Sequence, residues 1–313
     1  MSAPGRTCPL SYRYAPDSLR RAPELAADTV WIAGGLYGNP FALESLLALY
    51  ERERGAKALV FNGDFHWFDV DPQTFSHIDA TVLRFHALRG NIETELAAPL
   101  ADAGCGCAYP DWVDDGTVER SNEIIERLRP AAGEARALAT LPMHLVARVG
   151  AARVGIVHGD AASLAGWGFA QETLSTSAGR RSAQATFDLA QVEVFASSHT
   201  CLPVLQRFGA SRAIVNNGSA GMPNFRGERF GVATRISLFK STDAIYSMET
   251  SGVFVEAIAL RYDHTAWEKR FLELWPAGSP AHRSYYQRIT SGPSYAVGEA
   301  LREELLHDER QHA

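Results

Sequence analysis

Apolar residues in this chain come in short runs that end at glycine or at polar side chains. Thr29-Val-Trp-Ile-Ala-Gly34 and Lys57-Ala-Leu-Val-Phe-Asn62 have the length and flanks of buried strands. Between them, Phe41-Ala-Leu-Glu-Ser-Leu-Leu-Ala-Leu-Tyr50 spaces its apolar positions as a helix does and leads into a Glu/Arg-rich end. Strand, helix and strand in that order predict a parallel pair joined by a right-handed crossover. A cysteine-aromatic loop after 105 leads to a helical segment near Asn122 to Leu128. From there strand patterns dominate, at 144–149, 152–157, 191–196, 203–208, 212–216, 232–239, 244–249 and 252–260. A βαβ first half followed by a hairpin-rich second half predicts an α/β chain, with two mixed sheets face to face and helices outside.

The ends of the chain read differently. Residues 1–25, rich in Pro, Arg and Tyr, form an arm expected to lie over a body spanning 26–262. A C-terminal helical extension, 263–313, carries Trp267, Phe271, Trp275 and Tyr285-Tyr286. Its aromatic face is expected to cover the body or to join a partner subunit in a homo-oligomer.

Of the 313 residues, 46% are hydrophobic and 21% charged, values of a soluble globular protein. A net charge of −6 with mixed signs lacks the basic footprint of a nucleic-acid binder, so no nucleic-acid partner is expected. An acidic protein that handles phosphate needs a metal to attract it locally. No run reaches the roughly 18 apolar residues of a membrane helix, and the N-terminus lacks the apolar core of a signal peptide. Cys8, Cys105, Cys107 and Cys201 are too few and too unevenly placed for a disulfide framework, so free thiols in a cytoplasmic protein are expected. Cys105-Gly-Cys107 has one intervening residue where zinc knuckles use two to four, and it reads as a pair of buried loop thiols.

The candidate chemistry sits where the apolar runs stop. Asp64 follows Phe-Asn-Gly, Asn91 follows Arg-Gly, His158 follows Val, and His199 follows Ser-Ser, each just past a strand pattern. Oxygen from Asp and Asn with nitrogen from two His suits one divalent ion per chain, Mn²⁺, Zn²⁺ or Fe²⁺.

Six motifs in register resemble the calcineurin-like metallophosphoesterases, particularly their small bacterial phosphodiesterase branch. They are Gly35-Leu-Tyr37-Gly-Asn39, Gly63-Asp64, Gly90-Asn91-Ile92-Glu93, His158-Gly, Ser198-His199-Thr-Cys201 and Asn216-Asn-Gly-Ser219, across roughly residues 28–260. The resemblance implies a four-layer α/β/β/α sandwich and a metal position made of Asp64, Asn91, His158 and His199. The other metal position of that family falls on Gly35, Tyr37, Asp64 and Cys201, so the first site is degenerate, although a Cys201 thiolate is a soft ligand. Its proton-donating His falls on Ile92, which transfers no proton.

Replacements for that acid are His66, Tyr37, Glu93 and Asp160, with His66 and Tyr37 as the catalytic candidates. Each has a plainer reading: His66 at the surface, Tyr37 in packing, Glu93 at a helix start, Asp160 capping a turn or orienting His158. Asn39, before Pro40, either touches phosphate or caps the helix. Trp67 and Trp167 either line a substrate face or fill the rim. The leading functional reading is a metal-dependent hydrolase of a small phosphorylated molecule. The alternatives are a non-catalytic binder of metal or phospholigand, and a single-metal enzyme acting on a non-phosphate substrate.

Overall fold

The computed structural model describes residues 4–100, 102–133 and 135–303. One sheet runs, across its width, β1 (Glu24–Ala26), β5 (His144–Val149), β6 (Ala152–Val157), β7 (Val194–Ser197), β9 (Arg212–Asn216), β8 (Val204–Phe208) and β13 (Leu301–Arg302). The second runs β11 (Ala244–Thr250), β12 (Val253–Leu260), β10 (Gly231–Ser237), β2 (Thr29–Ala33), β3 (Lys57–Asn62) and β4 (His86–Leu88). Both sheets are mixed. β2, β3 and β4 run parallel while β10 and β12 are antiparallel; β6, β7 and β9 run parallel while β5 pairs antiparallel to β6 and β8 antiparallel to β9.

Strand periodicity explains the layering. Val30, Ile32 and Val60 point into the space between the sheets, where they meet Val154, Ile156, Val194, Ala196 and Val215. Their neighbours Trp31, Ala33, Leu59 and Phe61 point the other way, into a core shared with the helices Pro40–Arg52, Pro72–Val82 and Asp115–Ala132. On the far side Val146, Val157, Phe195 and Ile214 pack with Phe187 of the helix Ser177–Ala190 and with Leu19. The result is the expected order of helix, sheet, sheet, helix. Because these strands are covered on both faces, they read as near-continuous apolar runs without alternation.

Several of the elements absent from the sequence pattern are short or weakly striped. β1, β4 and β13 span two or three residues, too few to show a period. Helix Ser177–Ala190 buries only Ala183, Phe187 and Ala190, a stripe too thin to read against its polar remainder. The helix expected near 122–128 extends over Asp115–Ala132, its N-terminus capped by Asp114.

Both chain ends are woven into the body. The arm supplies β1, which pairs in parallel with β5. Its Tyr12 is fully buried, and the Tyr12 hydroxyl donates to Glu95 at 2.5 Å. In the extension, helices His264–Leu274 and Pro280–Ser291 bury Trp267, Phe271 and Trp275 against the chain's own body. Trp275 Nε1 donates to the Phe68 carbonyl at 2.8 Å, and Phe271 meets the Phe68 ring edge-on. Residues 304–313 of the extension lie outside the described residues. Among the described residues, no helix is long and apolar enough to cross a membrane.

Trp275→Ala removes a buried ring together with the hydrogen bond from its Nε1 to the Phe68 carbonyl. We expect a stability loss of about 3–5 kcal/mol in urea unfolding. A loss below about 1 kcal/mol would show that the extension is not integral to the body.

Candidate metal centre

The parallel strands bring their carboxyl ends to one place, the usual position for a binding site in an open α/β sheet. Asp64 lies two residues past β3, Asn91 three past β4, His158 directly past β6, and His199 two past β7. Asp64 Oδ1 lies 3.3 Å from His158 Nε2, Asn91 Oδ1 lies 3.2 Å from the same nitrogen, and His199 Nδ1 lies 3.3 Å from it. Asp64, His158 and His199 form the cluster of potential metal ligands found among the described residues. All four predicted ligands are therefore together, and all are buried.

Backbone carbonyls decide which atoms face inward. His158 Nδ1 lies 2.8 Å from the Asn62 carbonyl, which can only accept, so Nδ1 carries the hydrogen and Nε2 faces the cluster. His199 Nε2 donates to the Cys107 carbonyl at 3.1 Å, leaving Nδ1 inward. Asn91 Nδ2 donates to the Cys105 carbonyl at 2.9 Å, which turns Oδ1 inward. The loop that reads in sequence as two buried thiols thus acts through its main chain. Its thiols are buried and free, with the two sulfurs 2.7 Å apart.

Two glycines let the ligands meet. A Cβ at Gly63 would lie 2.5 Å from His158 Nδ1, and one at Gly90 would collide with Asp64 Oδ1. Asp64 itself holds a left-handed backbone, φ 54°. Glu93 keeps it there by accepting the amides of Asp64, Phe65 and Gly90 at 2.8, 3.0 and 2.8 Å. Glu93 thereby fastens the Asp64 turn to the start of helix Asn91–Ala97. Burial and the nearby Asp64 push its pKa up, against the pull of His66 and the amides.

The donor set fits a divalent cation. Three electron-pair donors lie 3.2–3.3 Å from a fourth, His158 Nε2, and the Asp64, His158 and His199 ligand atoms all lie within 4.8 Å of one another. Tetrahedral bonds of about 2.0–2.1 Å place their ligand atoms about 3.3–3.4 Å apart. Such a cluster is repulsive unless a cation or a proton sits within it. Burial, which alone would lower the His158 pKa, is outweighed by the Asp64 carboxylate, and the pKa is raised. Burial and His158 together push His199 down to about 4, so its ring is neutral at pH 7 and offers a lone pair.

The other predicted residues are placed elsewhere. His66 is fully buried, 2.7 Å from Asp69, stacked on Phe75 at 3.6 Å and 3.7 Å from Asp79. Although burial pulls its pKa down, Asp69 and Asp79 raise it to about 9. It is neither at the surface nor within the ligand cluster. Asn39 accepts from the Phe41 and Ala42 amides, while its Nδ2 donates to Gly221, so the whole amide is committed to the helix cap. Asp160 binds the amides of Ala162, Ser163 and Gly168 and so holds its own turn. Trp67 is buried against Tyr285, whereas Trp167 lies edge-on to His199.

Tyr37 and Cys201 find each other. The phenol lies 2.7 Å from the thiol sulfur, and the Tyr37 ring lies about where a side chain at position 35 would be, 3.0 Å from a Cβ built on Gly35. Burial raises the pKa of both groups, which favours their protonated, hydrogen-bonded forms. Ile92 is buried in the apolar core. Arg288, unnoticed in the sequence pattern, donates to the Cys201 carbonyl at 2.6 Å and ties this turn to the C-terminal extension.

No protein-family model matches the chain, and no curated protein matches it. Solved structures do. A metallophosphoesterase from Sphaerobacter thermophilus aligns over 85% of this chain and 100% of its own, at 16% identity and a TM-score of 0.56. A hypothetical protein from Pyrococcus horikoshii aligns over 86% of this chain and 100% of its own, at 17% identity and a TM-score of 0.58. The chain thus has the fold of the Sphaerobacter metallophosphoesterase. In this metallophosphoesterase fold, the ligand cluster occupies the loops at the strand ends, and the Tyr37–Cys201 pair closes the space next to it.

Gly106 tests the role of the cysteine loop. It has φ 70°, and a Cβ there would strike the Tyr12 hydroxyl and lie 3.2 Å from Asn91 Cβ. We expect Gly106→Ala to weaken divalent-metal affinity about 10–100-fold by titration calorimetry, as loss of a ligand's supporting contacts does. Unchanged affinity would mean that the loop does not set the ligands.

Proposed function

We propose that this chain is a metal-dependent hydrolase of phosphoric esters that works with a single ion. The observation that carries the reading is the convergence of Asp64, Asn91, His158 and His199, with both imidazole tautomers set by main-chain carbonyls. The fold supports the substrate class, since the Sphaerobacter protein of the same fold bears the name metallophosphoesterase. Asp64, Asn91, His158 and His199 would hold Mn²⁺, Zn²⁺ or Fe²⁺. When bound, such an ion supplies Lewis acidity toward a phosphoryl oxygen and lowers the pKa of a coordinated water.

The rest of the chemistry falls to the chain. Glu93 and the carbonyls of Asn62, Cys105 and Cys107 keep the ligands from reorganising as charge develops. Ile92 offers no proton, and His66 is paired with Asp69. Departure of the leaving group therefore relies on the ester's own acidity or on solvent. Activated esters should react far faster than alkyl esters, since a general acid is normally worth about 10²–10⁴ in rate.

A second reading, a binder without turnover, is favoured by one feature. Tyr37 and Cys201 form a neutral pair where the resemblance sets the first metal. Elemental analysis and an ester panel separate the two. We expect about one equivalent of metal per chain, lost in His158→Ala, and hydrolysis that chelation abolishes and the same ion restores. Metal retention without turnover of any ester would favour the binder; no metal at all would defeat the hydrolase and leave a metal-free binder. A chain carrying Gly35→Asp, Tyr37→His and Cys201→His should bind about two equivalents and gain activity on alkyl esters. Binding of one equivalent would show that the space cannot accept an ion.

A further inference from the structure

An uncovered aromatic surface lies beside the ligand cluster. Trp167 meets the His199 ring edge-on, centroids 5.6 Å apart, and its Nε1 donates to the same Cys107 carbonyl that holds His199. Trp112 stands edge-on to Trp167 at 6.2 Å, and Tyr109 tilts against Trp167 at 5.8 Å. A file of rings thus leads from the buried imidazole of His199 to a tryptophan that is 61% exposed.

The segment carrying Trp112 is clasped from both sides. Arg6 donates to the carbonyls of Pro110 and Val113 at 2.9 and 2.7 Å and pairs with Asp115 at 2.6 Å. The Val113 amide closes the turn on the Pro110 carbonyl at 3.1 Å. Trp112 lies between those anchors. Leaving a large ring in water forgoes the free energy its burial would release, and nothing in the fold needs it outside. A ring that is already ordered stacks on a planar ligand without the entropy cost of ordering a loop.

We propose that Trp112 and Trp167 form a platform for a planar aromatic ring carried by the phosphoester, so that the substrates are aryl or heteroaryl esters. This rests on the single-metal reading above for where the phosphoryl group sits. An aryl leaving group is also the kind that departs without a protein acid, which agrees with Ile92 at that position.

Phenyl phosphate and cyclohexyl phosphate provide the test, because they match in size and charge and differ in planarity and π-character. Calorimetric titration of the metal-loaded chain should favour the phenyl ester about tenfold, within the range of ring stacking on an aromatic side chain. Trp112→Ala should erase that preference with metal content unchanged, and Trp112→Phe should keep most of it. Equal affinity for the two esters, a preference that survives Trp112→Ala, or no binding of either would overturn the platform. A phenyl preference that persists in metal-free His158→Ala would support the platform while removing the metal from the binding of the phosphoryl group.

Discussion

Three backbone carbonyls hold the centre of this molecule in order. An imidazole or a carboxamide can turn either of its polar faces to a cavity, and the unused face must find a partner when buried. Asn62, Cys105 and Cys107 offer carbonyls, which can only accept, so His158 Nε2, His199 Nδ1 and Asn91 Oδ1 are left facing one another. Everything proposed for the site follows from that outcome. With both rings and the Asn91 amide turned over, those three residues would present N–H groups to the cavity in place of lone pairs.

The two sides of the site are electrostatic opposites. On one side a carboxylate, an amide oxygen and two imidazoles concentrate lone pairs that call for a cation. On the other, burial keeps the Tyr37 phenol and the Cys201 thiol protonated and hydrogen-bonded to each other, and Ile92 lies in the apolar core. The substitutions are mutually adjusted. Gly35 leaves room for the Tyr37 ring, whose hydroxyl reaches Cys201, and Arg288 from the C-terminal extension secures the Cys201 turn. This side of the site is held by its own hydrogen bond, between Tyr37 and Cys201.

The chain ends take part in that arrangement. The Tyr109 amide donates to the Gly5 carbonyl, Asn122 accepts the Cys105 amide while donating to Pro4, and Leu164 binds the Tyr12 carbonyl. The arm therefore braces both the cysteine loop and the turn after His158. The extension packs on the helical core through Trp267, Phe271 and Trp275. Function in this fold depends on loops, and here the loops are steadied by segments distant in sequence.

Three of the strands that carry the site, β3, β6 and β7, were legible because they are buried on both faces and read as continuous apolar runs, and Asp64, His158 and His199 follow those runs within two residues. Asp64, Asn91, His158 and His199 could be nominated from such positions together with their motifs. Very short strands and the thin-striped helix Ser177–Ala190 carry too little periodicity to be seen. What only the tertiary structure decided is which polar residues share a space. His66 and Asn39 have the right chemistry for the site, but His66 is drawn to Asp69 and Asn39 to a helix cap. The carbonyls that orient the ligands belong to residues whose side chains say nothing of that role, since every residue has a carbonyl and only the fold determines where it points.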